Sequence, residues 1–290
     1  SFRRRLWRTA SRFLAPFART APRWSAALQH RIGRLRMTDV WDVAIVGCGP
    51  VGAYAANLLG RAGLSTIVLE RDTAPYALPR AVHIDHEMMR LLADVDALAP
   101  LDDLLFAANG HLHIGADHGM IRYLSAAGQP RPYGYANDYF FYQPELEAVL
   151  RNSLNRFDNV ALRLGVEVED LSQTADAVTL RLSDGSDLRC RWAIGTDGAR
   201  STVRKALGVQ LDDLGFEEPW LVVDAEVDGP LSFPDLTGVP DGADLHRLSV
   251  MMCDPARPAT IVPGRGNHRR WEFMLLPGER DAEMSRPEVV

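Results

Sequence analysis

The stretch from Asp42 to Glu70 constrains the fold more than any other part of the sequence. Val43-Ala44-Ile45-Val46 is an apolar run of the length a buried parallel strand needs, and it opens directly into Gly47-Cys48-Gly49-Pro50-Val51-Gly52. Ala53, Ala56, Leu59 and Ala62 then recur at helical spacing until Gly63, and Ser65 to Leu69 reads as a second buried strand ending on Glu70. Each glycine has its own task in such a unit. Gly47 permits the turn off the strand, Gly49 has no side chain to block a pyrophosphate, and Gly52 lets helix and strand pack closely. The helix start aims its free amides and positive dipole end at the same place. Glu70 follows Gly52 by 18 residues, where a carboxylate can accept both hydroxyls of an adenosine ribose. Strand, glycine turn, helix, second strand and terminal acid together predict a dinucleotide site, and leave open which dinucleotide it takes.

The remaining sequence bounds the class of protein around this unit. At 290 residues and 47% hydrophobic content the chain can bury one large domain or two ordinary ones. It contains no 18-residue apolar run, so no membrane span is predicted. Cys48, Cys190 and Cys253 are far apart and odd in number, which fits a reducing cytoplasm and neither a disulfide framework nor a metal site. The net charge of -6 conceals an asymmetry: residues 1–36 hold 10 arginines and no acid, which leaves 22 bases against all 38 acids in the rest. In this extension Phe2, Leu6, Phe13 and Phe17 fall on one rough helical face among arginines. That pattern suits an anionic membrane surface, nucleic acid or a transit peptide. Met37-Thr38-Asp39 just before the first strand favours a plainer reading, a disordered extension of residues 1–37 without function, and no nucleic-acid partner is expected.

Beyond Glu70 a loop from Arg71 to Pro79 leads through Arg80-Ala81 to a helix after Asp85, with Met88, Leu91 and Leu92 expected on its buried side. His83 and His86 show no acid partner or metal-ligand spacing in the sequence, so packing roles are expected of both. Alternation from His111 to Tyr123 predicts a hairpin turning at Asp117-His118-Gly119, with His111 and His113 on one solvated face. Tyr139-Phe140-Phe141-Tyr142 enters a helix at Gln143-Pro144 whose buried face is Leu146, Val149, Leu150 and Leu154. Strands are predicted at 160–164, 166–171, 177–182 and 188–194, with Asp184-Gly185 as a hairpin turn. The last strand delivers a second glycine turn, Gly195-Thr196-Asp197-Gly198-Ala199-Arg200-Ser201-Thr202-Val203-Arg204.

The two turns, with Glu70, Pro79-Arg80-Ala81 and Gln143-Pro144-x-Leu146-Glu147 between them, match in order and spacing the single-component FAD-dependent aromatic hydroxylases, which the chain resembles from about residue 40 onward. Pro219 to Asp224, Cys253 to Pro258 and Arg270 to Glu279 resemble segments of the bacterial 3-(3-hydroxyphenyl)propionate hydroxylase group. The resemblance implies an α/β chain, α+β overall, in which a Rossmann-like FAD-binding domain with a parallel sheet carries a partial antiparallel-sheet substrate domain. It divides the chain into FAD-binding segments 38–110 and 143–215, a hairpin excursion at 111–142 and substrate-domain residues 216–290.

The implied reaction is hydroxylation of a phenolic aromatic acid ortho to its hydroxyl, with NADH or NADPH as transient electron donor and O2 as co-substrate, through a flavin C4a-hydroperoxide. By similarity Gly47, Gly49 and Gly52 take the FAD pyrophosphate, Glu70 the adenosine ribose, Arg80 and Gln143 lie along the ribityl and isoalloxazine side, Asp197 approaches the pyrophosphate region, and Pro50, Arg71 and Gly198 are further cofactor-binding residues. No nucleophile is needed, and no catalytic side chain is assigned. Arg257, Arg265, Arg269 and Arg270 are candidates for the carboxylate of the substrate. A homo-oligomer is compatible with these features. The family's third signature, Gly-Asp-Ala-Ala-His, does not occur between Ser1 and Val290, so the sequence reads as the N-terminal part of a longer enzyme and is expected to bind FAD weakly. Two other readings stay open at this level: a flavoprotein of different chemistry, such as an oxidase or halogenase, and a non-catalytic binding protein.

Overall fold

The computed structural model describes residues 40–229 and 231–289, so the arginine-rich extension lies outside the described residues. Strand β1 (Trp41–Val46) ends at the first glycine turn, helix α1 (Pro50–Arg61) follows, and β2 (Thr66–Glu70) runs parallel to β1 with Val46 opposite Leu69. Pro50 sits at the start of α1, where its missing N–H leaves no bond unmade. Ala53 and Ala56 are fully buried, and a Cβ at Gly60 would meet the Phe157 ring at 2.7 Å, so small residues set how closely α1 lies on the sheet.

Strand β3 (His83–Asp85) leads into α2 (His86–Asp94), which Asp85 caps by accepting the Met88 amide at 2.9 Å. Starting at His86, α2 turns Met89 and Leu92 inward, followed by Val95; Met88 and Leu91, expected on that face, are half-buried. Strands β4 (Leu105–Ala107), β5 (Gly110–Gly115), β6 (Met120–Ser125) and β7 (Asp138–Phe141) precede α3 (Gln143–Ser153). Strands β8 (Val160–Leu164), β9 (Val168–Gln173), β10 (Val178–Leu182) and β11 (Asp187–Gly195) lead to the short α4 (Thr202–Ala206). Strands β12 (Trp220–Glu226), β13 (Leu248–Cys253), β14 (Ala259–Pro263) and β15 (His268–Met274) and helix α5 (Asp281–Met284) follow. Both predicted hairpin turns form: His118 adopts φ 61° between β5 and β6, and Gly185 adopts φ 83° between β10 and β11.

These elements make three sheets. The first has the order β8-β2-β1-β11-β10-β9, parallel from β8 to β11 and antiparallel beyond, with α1, α2 and α3 contributing to the apolar core on one face. This is the Rossmann-like arrangement, because β1 and β11 lie side by side and both end at glycine turns on the same edge. The second sheet, β12-β15-β14-β13-β5-β6, is antiparallel except where β13 runs parallel to β5. Leu112, Ile114, Leu248 and Val250 form the core of one of its faces against Phe233 and Leu236. The third sheet, β3-β7-β4, is small and contributes Phe140 to a cluster with Val262 of β14.

Candidate functional site

At the first turn the chain packs backbone against backbone. Gly47 has φ +96°, and a Cβ at Gly52 would collide with the Gly47 carbonyl oxygen and lie 2.6 Å from Thr196 Oγ1. Gly49 is the opposite case. Nothing lies within 4 Å of where its Cβ would be, and no side chain caps the start of α1. The first-turn amides of α1 therefore face open space, the cradle a phosphate requires. Glu70, at the end of β2, is buried, and its two oxygens accept the Cys48 amide at 2.7 Å and the Asp72 amide at 3.0 Å. The carboxylate is thereby held beside the turn. Burial pushes the neighbouring Cys48 thiol up to about 12, so it is an inert packing group.

The second turn is built against the first. Thr196 donates its amide to Val46 O at 2.8 Å and its hydroxyl to Gly47 O at 2.8 Å, which ties the end of β11 to the glycine turn. Asp197 accepts the Ser201 hydroxyl and the Thr202 amide, both at 2.6 Å, while Ser201 accepts the Arg204 amide at 2.9 Å. The Asp-Gly turn thus works as the double cap of α4, with Gly198 at φ +76°.

Gln143 opens α3. Its Oε1 accepts the Arg80 and Ala81 amides at 2.8 and 2.9 Å, and its Nε2 donates to Glu147 Oε1 at 2.7 Å. Arg151, one further turn along, donates Nη2 to Glu147 Oε2 at 3.3 Å and Nε to Cys48 O at 2.8 Å. Arg80 itself lies over the Tyr76 ring, 5.2 Å from its centre. Gly47, Gly49, Pro50, Glu70, Arg71, Arg80, Gln143, Asp197 and Gly198 all line a single solvent-open cleft, with Gly52 packed behind its wall. Thr196, Glu147 and Arg151 line it too and were missed in the sequence. The available signal was Gln143, Glu147 and Arg151 at four-residue spacing, one polar stripe beside the apolar stripe of Leu146, Leu150 and Leu154.

The expectations for His83 and His111 are corrected. His83 does have an acid partner: Asp138 lies on the adjacent strand β7, its carboxylate 3.2 Å from His83 Nδ1 and 3.4 Å from His111 Nε2 of β5. His111 therefore faces a buried acid rather than a solvated surface, a pairing hidden because the three strands are distant in sequence. The four arginines considered for a substrate carboxylate lie outside this cleft, and three of them are paired with acids within the chain. Arg257 pairs with Glu279 and Arg265 with Glu145, while the buried Arg270 grips Asp224 at 2.8 and 3.1 Å and donates to Pro79 O at 2.5 Å. Arg269 stands on the opposite face of β15 and donates to the Gly266 and His268 carbonyls. Among the described residues no group of three His, Cys, Asp or Glu side chains is placed to hold a metal.

Comparison with known proteins places this cleft in a wider group. A 3-(3-hydroxyphenyl)propionate/3-hydroxycinnamic acid hydroxylase of Comamonas testosteroni is 36% identical over 262 residues, which cover 86% of this chain and 40% of that protein. A probable NADH-specific resorcinol 4-hydroxylase of Rhodococcus jostii is 34% identical over 254 residues, covering 86% of this chain and 46% of the relative. The chain thus spans less than half the length of these curated relatives. The crystal structure of p-nitrophenol 4-monooxygenase from Pseudomonas putida superposes with a TM-score of 0.73 at 26% identity, over 86% of this chain and 62% of that one. The profile of the family described as "FAD binding domain" matches residues 40–289, and the chain belongs to that family of FAD-binding proteins.

Proposed function

We propose that the cleft holds FAD by its ADP half, and that the chain is the cofactor-binding part of a monooxygenase acting on a phenolic aromatic acid of the 3-(3-hydroxyphenyl)propionate type. Hydroxylation would fall ortho to the ring hydroxyl, with NADH or NADPH as electron donor and O2 as co-substrate. The observation that carries this reading is the pairing of an uncapped helix start, open at Gly49, with a buried carboxylate fixed beside it at Glu70. The donor set fits the group. The α1 amides suit a pyrophosphate, and Glu70 has one lone pair left on each oxygen after binding Cys48 and Asp72, enough for two ribose hydroxyls.

Arg71, Arg80, Gln143, Asp197 and Gly198 line the same cleft; in this reading Arg71 lies at the ribose, Arg80 and Gln143 lie along the ribityl and isoalloxazine side, and Asp197-Gly198 lies near the pyrophosphate. Bound FAD would supply the redox chemistry, taking hydride from a nicotinamide and activating O2. The names of the Comamonas and Rhodococcus relatives support the aromatic substrate class and NADH as donor. We divide the chain into FAD-binding segments 38–110 and 143–215, a hairpin excursion at 111–142 and a substrate domain at 216–290; pairing of the β5–β6 hairpin with β13 supports the excursion, while β7 pairs back onto β3 and β4 of the first segment. No described helix is long and apolar enough to cross a membrane, and we assign the enzyme to the cytoplasm.

Calorimetric titration with FAD and with ADP tests the reading. Glu70→Arg should weaken both by about tenfold to a hundredfold, the value of charge-assisted hydrogen bonds. Unchanged affinities, or a switch from NADH to NADPH with FAD retained, would sink the assignment of Glu70.

A further inference from the structure

Helix α3 buries an amide and two charges on one stripe: Gln143, Glu147 and Arg151 are 8%, 3% and 3% exposed. Such groups are tolerated in an interior when each is partnered, and these are partnered to one another in series. An ionised Glu147 can only accept, so Gln143 must present Nε2 to it and Oε1 to the Arg80 and Ala81 amides. Glu147 is in turn oriented by Arg151, whose Nε holds the Cys48 carbonyl and whose Nη2 lies 3.9 Å from Glu70 Oε2. Burial pushes the Glu147 carboxyl up, and the Gln143 and Arg151 contacts oppose that push. An unbroken polar chain therefore runs from the backbone at residues 80 and 81 to the glycine turn, two parts of the same cleft wall.

We propose that Gln143, Glu147 and Arg151 are positioning residues that couple these two parts of the cleft wall, so that a nucleotide diphosphate seated on the glycine turn fixes the Arg80–Ala81 backbone on the flavin side. The inference rests on the cofactor reading above. Its physical basis is that a ligand on the Gly47–Gly49 turn restrains the Cys48 carbonyl, and through Arg151, Glu147 and Gln143 restrains the two amides that Gln143 accepts. The hydrogen bonds supply a physically continuous path for coupling of this kind.

The test is amide exchange of residues 76–82 with and without saturating ADP, followed by mass spectrometry, alongside calorimetry of ADP binding. In the wild type, ADP should slow exchange of this segment about tenfold. Glu147→Leu/Arg151→Met replaces the buried ion pair with apolar groups of similar volume, a change that commonly leaves a fold intact. ADP bound to this variant should no longer slow exchange of the segment. Gln143→Leu breaks only the last link, leaves Arg151 and the turn untouched, and should give the same result should the double variant fail to bind ADP. Slowing that persists in the folded Gln143→Leu variant overturns the coupling while leaving the cofactor site standing. Absence of ADP binding in the wild type overturns the cofactor reading and the coupling together.

Discussion

Gly49 and Gly52 stand three positions apart and obey entirely different physics. Gly52 is surrounded by backbone, whereas Gly49 looks into open space. Gly52→Ala should overpack the contact with Gly47 and Thr196 and cost about 1–3 kcal/mol, measurable as a lower urea midpoint. Gly49→Ala should leave that midpoint unchanged and weaken ADP binding, because its methyl enters the open space proposed for phosphate; equal effects on both readouts would refute the division of roles. The Asp138 site gives a pH prediction. Burial is the largest influence on Asp138 and pushes its carboxyl up, but the His111 and His83 contacts outweigh it and the net direction is down. The Asp138 contact raises His83. A lowered acid stabilises the fold above its unfolded value, and a raised histidine does so below its own. The pair therefore contributes fully between the model-compound values of 3.8 and 6.5, losing strength as pH falls through the folded Asp138 value or rises through that of His83. The stability difference between wild type and Asp138→Asn should accordingly be larger at pH 5.5 than at pH 8.5 in urea titrations.

At the scale of elements, β1 and β11 end side by side, and Thr196 is the tie between their turns. Thr196→Val keeps the shape but deletes the hydroxyl that bonds the Val46 and Gly47 carbonyls, which should cost about 1 kcal/mol of stability and lower ADP affinity, while Thr196→Ser should restore both. Matching losses in the serine variant would assign the role to the methyl group instead. The strands of the first sheet, the glycine turns and the hairpins at Asp117 to Gly119 and Asp184-Gly185 were legible in the sequence because each is specified by neighbouring residues, whereas the short β3, β4 and β7, which pair only with one another, were not. The polar stripe of α3 was not, since Gln143 bonds residues 63 and 62 positions away and Arg151 one 103 positions away. The same distance hid the partners of Arg270, which lie 46 and 191 positions off, so a buried structural ion pair read as a free guanidinium.

Across the whole molecule, that ion pair joins parts of the chain that the two large sheets keep apart. Arg270 on β15 binds Asp224 on β12 and reaches the Pro79 carbonyl of the loop after β2. Burial pushes Asp224 up, and His268 and Arg270 together bring it below its usual value. Arg270→Leu leaves that carboxylate buried with a histidine as its remaining partner, and should destabilise the chain by about 3–5 kcal/mol in urea unfolding. A loss under about 1 kcal/mol would show the site to be more hydrated than its burial implies. The mixed second sheet has a consequence for synthesis. Gly110 of β5 pairs with Leu248 of β13, which leaves the ribosome 138 positions later. Until then a nascent chain carries the 110–125 hairpin with one side of β5 unsatisfied, a template for pairing with other chains. Translation arrest or proteolysis between residues 126 and 247 would therefore release fragments prone to aggregate, whereas products reaching residue 253 can close that edge from within.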